Sequence, residues 1–224
     1  KWDPYDFFPE APSNEYDGES KRIVRRITVS SLTDEIAEAV AEVLNGLNTL
    51  NNSKIQISKI KEKINRLVEV DNRLLGEINT AQKNVYGALK HADVSHSTSP
   101  GKAILVSGGS LDNLYDLLET VKDKDIDVYT HGDLLIAHAF SGFAKFDRLK
   151  GHYGDCMENC ILDFATFPGA IFLTKNFSQN LEFLYRGRLF TTAKIQPQGV
   201  VKIDNDNYTP LIESAQAAKG FAKG

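Results

Sequence analysis

Apolar residues recur along this chain with different periods, and the changes of period divide it. From Ser31 the positions Ile36, Val40, Val43, Leu44 and Leu47 follow the three-and-four spacing of an amphipathic helix. The stretch S-S-L-T-D, with Asp34 in the first turn, provides a capping start. This helix is expected to end between Asn45 and Asn52. A second one carries Ile57, Ile60, Ile64, Leu67, Leu74 and Ile78, with Asp71 in the missing place of the stripe as an exposed carboxylate at its edge. The seam spans about three heptads and follows a short adjacent helix, so a helical hairpin is expected rather than a dimerising coiled coil. Residues 1–30 show no sustained period. Their W-D-P-Y-D-F-F-P-E-A-P stretch and K-R-I-V-R-R patch read as an irregular arm packed by its aromatics.

Beyond Tyr86 the helical period is lost in G-A-L-K-H-A-D-V-S-H-S-T-S-P-G-K, which reads as a linker. Short apolar runs then appear, the kind buried on both faces of a parallel sheet: Ala103–Val106, Ile126–Tyr129, Ala170–Leu173, Arg188–Phe190 and Val200–Ile203. Between them lie helical patterns through Leu111, Leu114, Leu117 and Leu118 and over Asp133–Phe140. A last helix is expected with Thr209 as cap and Pro210 in the first helical position. Strands alternating with helices predict an α/β fold, a Rossmann-like doubly wound parallel sheet preceded by a helical hairpin. The expected organisation is an arm over 1–30, a helical segment over 31–92 and the α/β domain over 101–224.

Composition narrows this picture. The chain has 224 residues, 42% hydrophobic and 25% charged, close to the soluble globular average. Its net charge of −4 argues against a nucleic-acid partner, which would require a basic face. No apolar run approaches the ~20 residues of a membrane span, and no signal segment precedes the first helix. Two cysteines, Cys156 and Cys160, do not make a disulfide framework, so a reducing cytoplasm is expected. Beginning at Lys1 rather than Met, the sequence reads as a piece of a longer protein.

In open α/β sheets ligands sit beyond the carboxyl ends of the strands, which directs attention to 107–110, 130–133 and 174–177. Gly108 and Gly109, ahead of a helix, would let backbone N–H groups approach an anion or cofactor. Neither G-x-G-x-x-G nor G-x-x-x-x-G-K-[ST] is present, so nucleotide binding lacks specific support. His131 and Asp133, with His138 one turn on, are candidate metal ligands or an acid/base cluster. Cys156 and Cys160, four apart and with His152 nearby, are read as buried thiols, because structural zinc normally takes four ligands and a tighter C-x-x-C.

Five blocks carry a resemblance. They are Lys102-AILVSGGSLDNLYDLLE, Asp127-VYTHGDLLIAHAF, Gly151-HYG, Phe167-PGAIFLTKN and Arg188-LFTTAKIQPQGVVKI. In order and spacing they resemble the middle α/β domain of hybrid-cluster (prismane) proteins. The match runs over about residues 75–220 and includes Gly76-EINTAQKNVYG. The resemblance implies a cytoplasmic oxidoreductase of the hydroxylamine reductase type, with a mixed iron–sulfur–oxygen cluster between two α/β domains. It also implies partner domains or subunits completing such an assembly. The family's three cluster ligands from this domain are a His in S-G-H-D-L, a Glu in T-H-G-E-M-L and a Cys ending T-T-N-C. They fall on Gly109, Asp133 and Phe177, of which Asp133 alone retains a metal-binding side chain. Three functional readings follow: a diverged member or piece of such an oxidoreductase, unable to hold the hybrid cluster by itself; a non-catalytic paralogue (a pseudoenzyme) serving binding or assembly; or a pocket rebuilt for another metal or small ligand.

Overall fold

The computed structural model describes residues 37, 41–46, 48, 57–155, 159–174, 183–193, 196, 198–204 and 206–222. The chain divides into two compact units at Gly87/Ala88. In the first unit residues 41–46 are helical, and a 30-residue helix, α1, runs over Ile57–Tyr86. One face of α1 is covered: Val70 is buried, and Ile60, Leu67 and Leu74 are half-buried. Lys63 reaches Glu42 at 3.3 Å from that side. The remainder of the expected hairpin, and the arm over 1–30, lie outside the described residues.

The second unit is built on six parallel strands: β1 (Lys102–Ser107), β2 (Ile126–His131), β3 (Leu149–His152), β4 (Ala170–Leu173), β5 (Leu189–Thr191) and β6 (Val201–Lys202). Their order is β3-β2-β1-β4-β5-β6. The chain winds outward from β1 to β3, then returns to pair β4 with the other side of β1. This is the doubly wound arrangement predicted from the alternating pattern, with its topological switch between β1 and β4. Its helices are α2 (Leu111–Val121), α3 (Cys160–Thr166), α4 (Phe183–Arg186) and α5 (Thr209–Ala217).

The runs of β1, β2, β4 and β5 form strands because both faces of each are covered, whereas β6 is an exposed edge pair. Ala103, Leu105, Tyr129, Ile171 and Leu173 pack with Phe164 and Phe167 on one face. On the other, Phe172 meets the edge of Tyr208 at 5.6 Å between ring centroids. Cys160 is buried inside the first of these clusters. Cys156 lies outside the described residues.

Several local expectations are corrected. The segment Gly132–Ala139 is a 3-10 helix rather than α-helix, and Thr209 is the first helical residue of α5. The cap position belongs to Tyr208, whose buried ring donates its hydroxyl to the Asn113 carbonyl at 3.3 Å. Strand β3, with the sequence L-K-G-H, carries no apolar run and was not expected. Residues 88–100 are an ordered strap: Lys90 N–H donates to the Ala139 carbonyl at 2.7 Å, and His152 N–H donates to the Ser95 carbonyl at 2.9 Å.

Arg188 fastens α3 to the strand that follows it. Its guanidinium donates to the carbonyls of Phe164 (2.9 Å), Gly169 (2.8 Å) and Phe167, satisfying the carboxyl end of the helix where four carbonyls lack intrahelical partners. Replacing it with Ala should cost about 2 kcal/mol of stability, read as a lower urea midpoint at unchanged slope. Lys should recover only part of this, since a point charge cannot reproduce the planar fork.

Candidate functional site

The carboxyl ends of β1, β2 and β3 deliver Ser107, His131 and His152 to one neighbourhood, and all three are buried. Parallel register places Ser107 opposite His131 and Thr130 opposite His152. Two hydrogen-bonded chains result.

The first runs through His131. Its Nε2 lies 3.1 Å from Asp163 Oδ2, so the ring proton sits on Nε2 and is donated to the carboxylate. Its Nδ1 is then the acceptor, and the Ser107 hydroxyl donates to it at 3.0 Å. Asp163 also takes the Asp155 N–H at 3.2 Å. Gly154 makes room for that carboxylate: with φ +79°, an added Cβ would stand 2.3 Å from Asp163 Oδ2. Burial lowers the pKa of His131, and the Asp163 carboxylate opposes the shift without cancelling it.

The second chain centres on Thr130. Its hydroxyl lies 2.9 Å from His138 Nε2, 2.9 Å from His152 Nδ1 and 3.4 Å from the Gly151 carbonyl oxygen. One hydroxyl has one proton, so at least one of those ring nitrogens must carry hydrogen and donate it to Thr130. Burial lowers the pKa of His138, with the Gly151 carbonyl opposing and His96 adding to the shift. His152 is pushed down to about 4, first by burial and then by repulsion from His131, His96 and His138. Its ring stacks on His131 at 6.3 Å between centroids, and His96 meets it edge-on at 5.7 Å.

The switch point between β1 and β4 is closed from within. Thr174 N–H donates to the Ser107 carbonyl at 2.9 Å, and Ser110 N–H donates to Thr174 Oγ1 at 3.2 Å. Gly108, at φ +111°, lies under that side chain, where an added Cβ would meet Thr174 Oγ1 at 2.3 Å. Gly109 is different: a Cβ built there meets nothing within 4 Å.

The residues singled out from sequence are therefore dispersed. His131 has both ring nitrogens engaged, and His138 turns to Thr130. Asp133 is exposed and lines a groove of about 640 Å³ together with His91, Asp93, His96, Leu135 and Ile136. Among the described residues, no three His, Cys, Asp or Glu side chains are placed to hold a metal ion together. Phe177 lies outside them. The strand-end segments flagged from sequence contain Ser107 and Thr130 but assign them no role; Asp163 is left out, and His152 is placed with the cysteines. The signal for the first two was position, since each stands at or next to the last residue of a parallel strand.

The pattern of the Prismane/CO dehydrogenase family matches residues 25–224. The chain belongs to that family. It is 34% identical over 190 residues to a hydroxylamine reductase of Acidiphilium cryptum, covering 85% of this chain and 34% of that protein. A hydroxylamine reductase of Solidesulfovibrio magneticus is 40% identical over 154 residues, covering 69% and 29%. One from Rhodospirillum rubrum is 37% identical over 192 residues, covering 85% and 34%. The chain thus spans about a third of the length of these relatives. Within the prismane family member described here, the hybrid cluster implied by the resemblance meets a donor set of Gly109, Asp133 and Phe177. Glycine has no donor atom, phenylalanine has no thiolate, and the exposed Asp133 carboxylate lies in a groove wall. These residues do not fit that group.

Proposed function

We propose that this chain is a diverged prismane-family member whose α/β unit does not hold a hybrid cluster by itself and serves as a non-catalytic binding or assembly subunit in a reducing, cytoplasmic setting. The observation that carries this reading is His131. Its Nε2 is committed to Asp163 and its Nδ1 to Ser107, so neither nitrogen is available to a metal without breaking a buried hydrogen bond. The same neighbourhood holds three imidazoles whose pKa values are lowered by burial, an arrangement satisfied by neutral rings and the hydroxyls of Ser107 and Thr130 rather than by a cation. Partner domains or subunits of a hybrid-cluster-type assembly would supply whatever chemistry the relatives' name describes. To test it, the chain is purified without oxygen, incubated with ferrous iron and sulfide, and supplied with hydroxylamine and reduced methyl viologen. No hydroxylamine-dependent dye oxidation above the blank is expected. Sustained turnover would overturn the reading.

A second reading, a pocket rebuilt for another metal or small ligand, rests on Asp133 lining one groove with Asp93, His91 and His96; as placed, no three of these side chains converge on one ion, so a metal would have to draw them together. Calorimetric titration with zinc tests it. Binding that disappears in Asp133→Ala would support this reading, and no heat of binding in the parent would remove it.

A further inference from the structure

The uncovered face of α1 is patterned. Ile57, Ile64, Val68 and Leu75 are 72%, 53%, 52% and 50% exposed, and Lys61 and Asp71, on the same face, are exposed as well. Read in order, 57, 61, 64, 68, 71 and 75 advance by alternating steps of four and three, the spacing of an a/d seam, with 61, 68 and 75 as a positions and 57, 64 and 71 as d positions. This is a different face from the one whose Val70, Leu67 and Leu74 are covered. Among the described residues nothing covers this apolar stripe, which runs along roughly 27 Å of helix at 1.5 Å per residue.

The order of residues in this seam is self-complementary. Positions 57 and 75 lie nine residues either side of Arg66, 61 and 71 five, and 64 and 68 two. In an antiparallel pair the a residues of one helix layer against the d residues of the other, because the chain directions are opposed. With a two-fold axis at Arg66, Leu75 then meets Ile57, Val68 meets Ile64, and Lys61 meets Asp71, each twice. Within 57–75 every apolar residue faces an apolar one and every charge its opposite; the next d position, Ile78, falls opposite position 54, outside the described residues. Shifting one helix by a heptad would set Asp71 against Val68 and Lys61 against Ile78, each twice, burying two unpaired charges per chain. A parallel pair would oppose Lys61 to Lys61 and Asp71 to Asp71.

We propose that this face of α1 pairs antiparallel with α1 of a second copy of the chain, in the register fixed by Lys61 and Asp71. The contact is isologous and closes at two subunits. A polar layer specifies register at the expense of stability, so a seam of about three heptads should associate weakly, with Kd on the order of 10–100 µM.

Sedimentation equilibrium of the full chain from about 5 to 500 µM should show the mass rising from 24.9 kDa toward twice that value. Lys61→Asp and Asp71→Lys each place like charges in two layers and should each weaken association at least tenfold. The double variant K61D/D71K restores opposite charges in both layers and should recover dimerisation, as should an equimolar mixture of the two single variants. All substituted positions are exposed, and far-ultraviolet circular dichroism should be unchanged. A parent that stays monomeric throughout the range would overturn the proposal. So would single variants that associate as well as the parent, or a double variant that remains monomeric.

Discussion

Lowering the pH from 7.5 to 4.5 is expected to reduce the unfolding free energy by about 2.5 kcal/mol through His152 alone, on the basis of roughly 1.4 kcal/mol per unit of pKa shift. The His152 ring titrates near 4 in the folded protein instead of at its ordinary value of 6.5. A folded-state value below the unfolded one means that the unfolded chain takes up the proton first. The stabilisation is therefore complete above pH 6.5 and is lost as the pH falls through the range down to about 4. His131 and His138 are shifted in the same direction and add to the loss, although the Asp163 carboxylate reduces the share of His131. Urea unfolding at a series of pH values measures this directly. His152→Asn, whose amide can also reach the Thr130 hydroxyl, should flatten the profile between pH 6.5 and 4. A parent profile that is flat over this interval would show that the rings are not held neutral.

Thr130→Val should destabilise the protein by about 3 kcal/mol, because it removes the hydroxyl shared by two buried imidazoles while keeping the volume of the side chain. His138 Nε2 and His152 Nδ1 both lie 2.9 Å from that oxygen, so one substitution strips a partner from each ring. Thr130→Ser keeps the oxygen and loses a methyl group, and should cost about 1 kcal/mol. Equal losses for Val and Ser would assign the effect to packing. Thermal melts of the three proteins at pH 7.5 distinguish the outcomes.

Much of the sheet was legible in the sequence because a strand buried on both faces must be apolar throughout. Ala103–Val106, Ile126–Tyr129 and Ala170–Leu173 announce themselves in this way, and the helices between them dictate parallel crossovers. Strand β3 was not legible. Gly151 and His152 are held there by pairing with β2 and by the Ser95 carbonyl, contacts made by residues distant in the chain. The strap over 88–100 escaped for a related reason: its Ser and Pro content reads as linker, but its backbone groups find partners on 139 and 152.

The site was legible in its location and not in its wiring. Gly108, Gly109, His131 and Asp133 do stand at strand ends. Parallel register then joins His131 to Ser107, and α3 brings Asp163 from 32 residues away. Sequence spacing groups His131 with Asp133 and His138 because they are near in the chain. The strand and the 3-10 turn after it point the three side chains to different partners: Asp163 and Ser107, the open groove, and Thr130.

On the proposed reading, Gly109, Asp133 and Phe177 leave this α/β unit without the donors that a hybrid cluster needs. Iron and acid-labile sulfide determined on the chain purified without oxygen, together with its visible spectrum, test this most directly. A colourless protein with far less than one iron per chain is expected. Several irons and sulfides per chain, with broad absorption through the visible range, would contradict it.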